Sequence, residues 1–170
     1  MKDAGQEAGK VKSLIGQFSG KDGNLRARSR AELVKIGGPA VPGLCAALRT
    51  SPEEQVRWEA AKTLAEIEDP RAISFMVRAL KDPDEDVAWI AAEFLRGSGK
   101  AAWPALLAAV LKCGPKSFAL RKGAHHALWE QRVPGYNKLL AALRRALAPG
   151  APPESAPEAA YKLLEKLRAE

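Results

Sequence analysis

Val56-Arg57-Trp58-Glu59-Ala60-Ala61-Lys62-Thr63-Leu64 returns 31 residues later as Val87-Ala88-Trp89-Ile90-Ala91-Ala92-Glu93-Phe94-Leu95. Self-similarity at this period marks stacked helix pairs, in which each unit buries its apolar face only against its neighbours. The inward positions of the copy beginning at Val56 are Val56, Ala60, Leu64 and Ile67. Offsets of four, eight and eleven put them on one face of a helix with 3.6 residues per turn. Leu25, Leu33 and Ile36 take the matching places one unit earlier, and Val87 and Leu95 do so one unit later. The small pairs Ala60-Ala61 and Ala91-Ala92 let neighbouring helices approach closely.

The second helix of each pair registers as well. Val41, Leu44 and Leu48 match Ile73, Met76 and Leu80, then Trp103, Leu106 and Val110. Pro42 and Pro104 fall in the opening turn, where a missing N–H is tolerated. Ser51-Pro52-Glu53-Glu54 and Asp82-Pro83-Asp84-Glu85 each read as an N-cap, a proline at the first helical position and a glutamate three past the cap. Ser155-Ala156-Pro157-Glu158 repeats the device. Gly37-Gly38-Pro39, Asp69-Pro70 and Gly97-Ser98-Gly99 mark the turns within pairs. A looser fourth pair follows, Ser117 to Gln131 and Tyr136 to Leu147, with Leu120, Ala124, Leu128, Leu139, Leu140 and Leu143 inward. A stiff linker, Ala148-Pro149-Gly150-Ala151-Pro152-Pro153, leads to a final helix, Pro157 to Arg168, read as a C-terminal cap that buries Ala160, Leu163, Leu164 and Leu167.

The expected fold is therefore all-α, an α-solenoid of about four helix pairs. The pairs fall near residues 25–50, 51–82, 83–113 and 115–148, and the cap spans 155–169. Residues 13–170 read as a single domain. Residues 1–12 are expected to fray, with Val11 to Phe18 a short capping helix.

Composition agrees with a globular chain. Of 170 residues, 46% are hydrophobic and 28% charged, a balance that argues against disorder. No apolar run approaches the length of a spanning helix, roughly 18 residues, and the N-terminus lacks a secretory core segment. No membrane partner and a cytoplasmic address follow as expectations. Cys45 and Cys113 stand far apart without a second thiol nearby, as small packed hydrophobes rather than a zinc or redox pair. The net charge of +7 is segregated: +5 over residues 1–50, −5 over 51–99 and +8 over 100–147. Such blocks imply oriented contacts with a partner of mixed charge as well as attraction to polyanions.

The stretch Val56-Arg57, Ala60-Ala61, Leu64, Ile67, Asp69-Pro70, Ala72, Leu80-Lys81-Asp82-Pro83-Asp84, Asp86-Val87 resembles HEAT repeats, specifically the short variety also found in phycobilin lyases. The resemblance is dense over residues 52–95 and extends across most of 25–147. It departs at Ala88, where the family usually has Arg, at Gly97-Ser98-Gly99, and at His125-His126. It implies a right-handed superhelix whose second helices line a concave face, used mainly to hold other proteins. Scaffolds, enzyme maturation factors and lyases share the repeat, so the fold does not choose among them.

His125 and His126 are adjacent, so on a helix they point about 100° apart and do not face one metal. No carboxylate or thiol completes a ligand set, and no nucleophile elbow, phosphate loop or zinc-protease motif occurs. No catalytic residue, metal ligand or cofactor site is assigned. Trp58 and Trp89 share one register position, turned about 200° from the inward valine, as packing between repeats or as an aromatic anchor for a partner. Lys112, Lys116, Arg121, Lys122, Arg132, Lys138, Arg144 and Arg145 face one acid, Glu130, as a solvated basic surface or as a docking surface. Arg26, Arg28 and Arg30 form a smaller basic site.

The leading expectation is a monomeric, non-enzymatic module, an adaptor, scaffold or assembly factor, that binds another protein through Trp58, Trp89, Arg121, Lys122, Lys138, Arg144 and Arg145. The alternative is a nucleic-acid-binding solenoid that uses the basic third. A chromophore lyase or lyase-like chaperone is the remote alternative and rests on the repeat resemblance alone.

Overall fold

The computed structural model describes residues 2–113 and 116–169. Met1 and the boundary expected between the third and fourth pairs, at residues 114–115, lie outside them. Among the described residues every regular element is helical, and no single helix is long and apolar enough to cross a membrane. The chain divides into two compact units, residues 1–75 and 76–170.

The first unit holds α1 (Lys2–Gly16), α2 (Gly23–Ile36), α3 (Val41–Thr50) and α4 (Glu54–Ile67). Helix α1 is anchored through its C-terminal half. Val11 is buried, and α1 packs on both α2 and α3. Val11 and Ile15 lie one turn apart on the same face and close over Gly43 of α3. A Cβ there would stand 3.0 Å from Ile15 Cδ1 and 3.2 Å from Val11 Cγ1. Residues 5–10 are helical but exposed.

Helix α2 starts at the Asp22 N-cap, whose carboxylate accepts from the Asn24 and Leu25 amides. Leu25, expected inward, is instead exposed. The side chains that turn inward from this part of α2 are polar: Ser29 bonds Gln17, and Arg26 and Arg30 reach Glu59 of α4. Glu59 is 3% exposed. Its carboxylate accepts from Arg26 Nε at 3.1 Å, Arg30 Nη1 at 2.6 Å and Gln55 Nε2 at 3.2 Å. Arg26 and Arg30 therefore clamp α2 to α4 and do not form an open basic site; Arg28 alone of the three is exposed.

The helix starts at the linkers differ by two residues from the sequence reading. Helix α6 (Glu85–Ser98) takes Asp84 as its N-cap, accepting from the Val87 amide at 2.8 Å. Asp82 closes the preceding turn by accepting from the Asp84 amide, and Ser51 does the same for Glu53 ahead of α4. A proline right after Ser51 or Asp82 suits that turn, so the helix begins only once the turn is complete. The short helix α5 (Ile73–Ala79) precedes, with Ile73, Met76 and Val77 buried and Leu80 buried just after its end.

The second unit continues with α7 (Trp103–Cys113), α8 (Phe118–Ala127), α9 (Asn137–Leu147) and α10 (Ser155–Arg168). Helix α8 packs on α6, α7 and α9. It stops short of the expected Gln131 because Gln131 turns back. The Gln131 side chain donates to the Ala127 carbonyl at 2.7 Å, accepts from Trp103 Nε1 at 2.6 Å, and follows Glu130 in a left-handed conformation (φ 59°). Helix α10 packs on α7 as well as on α9. Ala156, Ala160 and Leu163 are its fully buried residues, and the two alanines allow that close approach; Leu164 and Leu167 are half-buried. Ser155 Oγ donates to the Pro152 carbonyl instead of capping α10.

Candidate partner-binding groove

Trp58 and Trp89 start from identical register positions and end in different environments. Four residues past each comes a side chain of opposite charge in the two repeats. Lys62 lays its ammonium 4.7 Å from the centre of the Trp58 ring, and Trp58 is half-buried. The counterpart of Lys62 is Glu93, an acid that turns away. Glu93 Oε2 accepts from Arg96 Nη2 at 2.6 Å, and Oε1 meets His126 Nε2. Burial alone would raise the Glu93 carboxyl, but the hydrogen bonds and charges of Arg96 and His126 hold it below its ordinary value. Trp89 is 59% exposed, with the centre of the tilted His126 ring 6.2 Å from its own.

Around Trp89 a groove of about 550 Å³ runs between α6, α8 and the turn before α6. One lip is acidic, with Asp82, Glu85 and Asp86; the other carries Phe118 and Lys122 of α8, with His125 and His126 on the same helix. Phe118 is 62% exposed. Lys122 Nζ reaches Glu85 Oε1 across the opening at 3.4 Å. The floor is held tight by Gly123, where a Cβ would stand 2.7 Å from Leu80 Cδ2. Only a residue without a side chain lets α8 come this close to Leu80.

A smaller cleft on the far flank of α8 is lined by Phe118, Arg121, Lys122, His125, Leu147, Ala148 and Pro149. Arg121 is half-buried there and donates to the Ala151 carbonyl at 3.4 Å. Burial lowers the His125 imidazole below its ordinary value, and the charges of Arg144 and His126 add to the effect. His125 also lies 5.6 Å from the Trp129 ring. In Cys45, burial pushes the thiol up to about 11, the setting of a structural rather than a reactive cysteine.

The structure thus brings Trp89 and Lys122 to one groove and Arg121 to the cleft beside it. Lys138 and Arg145 are exposed on α9 and line neither, Arg144 is half-buried near His125, and Trp58 belongs to the first unit. Sequence reasoning missed Phe118, the acidic lip and the His126–Glu93 contact. One signal for the groove was present in Ala88, which stands where Arg57 stands one repeat earlier.

Helix pairs repeated at this period, with alanine pairs at the contacts, define a helical-repeat protein. Residues 41–129 match the HEAT repeats family, and the chain belongs to it. Its class is the all-α solenoid of helix pairs. Among solved structures, it is similar to a chain in the complex of CpcE and CpcF of phycocyanin lyase from Nostoc sp. PCC7120, at 21% identity and a TM-score of 0.57. That match covers 90% of this chain and 96% of the other. Among curated proteins nothing matches.

Proposed function

We propose that this chain is a non-enzymatic interaction module, monomeric and cytoplasmic, that takes a segment of a partner protein in the groove between α6 and α8. The observation that carries the reading is Trp89, an indole more than half exposed inside a groove with room for side chains. Exposed aromatic surface beside polar lips is what interface hot spots consist of. HEAT repeats commonly hold other proteins, and the similar solved structure is itself of a two-chain complex. Charge on both lips orients the partner and speeds encounter.

Trp89→Ala should weaken partner capture by about tenfold or more with the helical circular dichroism unchanged. Trp58→Ala should leave capture intact. Equal loss from both variants, or none from Trp89→Ala, would remove the groove from the mechanism.

The second reading, nucleic-acid binding, draws on Lys138 and Arg145, both exposed on one stripe of α9, together with Lys122. Anisotropy of a labelled duplex and a labelled single strand across a salt series tests it. A steep fall of log affinity with log salt, lost on charge reversal at Lys138 and Arg145, would put this reading first. A change in the absorbance of added bilin would instead favour the lyase-like role.

A further inference from the structure

Arg57 on α4 donates from Nη1 to the carbonyls of Ser51 at 3.2 Å and Pro52 at 3.1 Å. A guanidinium thus lies over the linker that precedes its own helix. One period on, the linker is Asp82-Pro83, and the residue in the place of Arg57 is Ala88. A methyl group does not reach back to that linker. The space left open belongs to the groove, which Asp82, Pro83, Glu85, Asp86, Ala88 and Trp89 line on this side. We propose that this gap recognises an arginine side chain presented by a partner protein, whose guanidinium occupies the place that the preceding repeat fills with its own.

Three features select that occupant, given the groove as a partner site. Shape comes first: the same linker geometry already holds a guanidinium at Arg57, in a folded repeat of the same register. Charge comes second. Glu85 and Asp86 are exposed carboxylates at the lip, and together they outweigh the roughly half positive charge of the α6 N-terminus. Asp84, which caps that helix, is already engaged with the Val87 amide. The third feature is the indole of Trp89, whose face attracts a planar cation and stacks on it in a way that an ammonium does not match. Lys122 opposes entry only weakly. Its pair with Glu85 joins side chains 65% and 89% exposed, and such a pair contributes little. A guanidinium offers the carboxylate two parallel bonds in its place.

The test titrates Nα-acetyl-arginine methylamide into the ¹⁵N-labelled full chain, with the isosteric, uncharged citrulline compound as control. Saturable shifts are expected at the Glu85, Ala88 and Trp89 amides and at the Trp89 indole N–H, with none from citrulline. Ala88→Arg should abolish them while keeping the fold, because it restores the arrangement at Arg57. Combined Glu85→Gln and Asp86→Asn, both on the surface, should weaken binding by about fivefold, and Lys122→Ala should tighten it by about twofold. The inference is overturned if arginine produces no saturable shift at these positions, if citrulline matches it, or if Ala88→Arg binds as well as the wild type. Should it fail while Trp89→Ala still weakens partner capture, the groove stands and only its occupant is wrong. Should both fail, the groove reading falls as well.

Discussion

Glu59 is the residue on which the first unit depends most sharply. A carboxylate 3% exposed between two guanidinium groups is stable only because both of its oxygens are bonded. Glu59→Ala leaves Arg26 without its carboxylate and Arg30 with only Glu66, 3.3 Å from its Nε, and should cost about 2 to 3 kcal/mol in urea unfolding. A loss below about 0.5 kcal/mol would mean that water replaces the carboxylate at no cost. The sequence made the arginines visible but hid their partner, which lies 33 residues away from Arg26. The tryptophans teach a related lesson. Their equivalence was legible at once, yet their surroundings differ: Lys62 covers the Trp58 ring, while Glu93 in the same place meets His126, a further 33 residues along.

At the scale of elements, periodicity located almost every helix, because burial of one face is a local and repeated requirement. It was less informative about where helices begin and end. The caps at Asp84 and Glu53 lie two residues beyond the predicted ones, since Asp82 and Ser51 serve the turns instead. Helix α8 ends early for a tertiary reason, the hold of Gln131 on Trp103. Glycines within helices show the same division. Gly97 in α6 has open space where a Cβ would go, whereas Gly123 in α8 abuts Leu80. Gly97→Ala should therefore stabilise by about 0.5 to 1 kcal/mol. Gly123→Ala should destabilise by about 1 to 2 kcal/mol, overpacking outweighing the gain in helix propensity. Thermal melts of the two variants side by side check the opposite signs, and a stabilised Gly123→Ala would show that α8 rides outward freely.

For the whole molecule, the all-helical repeat class was readable from the 31-residue echo, while the groove was not, because it depends on how α8 packs on α6. The net charge leaves the pH response to individual groups. Burial and the charge of Arg144 lower the His125 imidazole in the folded state, so the unfolded chain takes up that proton first as pH falls. The corresponding stability is present above roughly pH 6.5 and is lost as pH drops through the lower folded value. Unfolding free energy should decline between pH 7.5 and 5.5, and the decline should be shallower in His125→Gln. An identical slope in the two proteins would assign the effect to other groups.

The contact between α10 and α7 also bears on how the chain is made. The residues of α7 emerge from the ribosome well before those of α10, and Leu106, Leu107 and Val110 belong to its buried face. Residues 1–75 have their own core and precede the second unit in the chain, so the first unit is free to fold before the second emerges. The second must keep an apolar helix partly uncovered until its last helix arrives. That delay makes the nascent second unit the natural client for chaperones and the segment most prone to aggregate during expression.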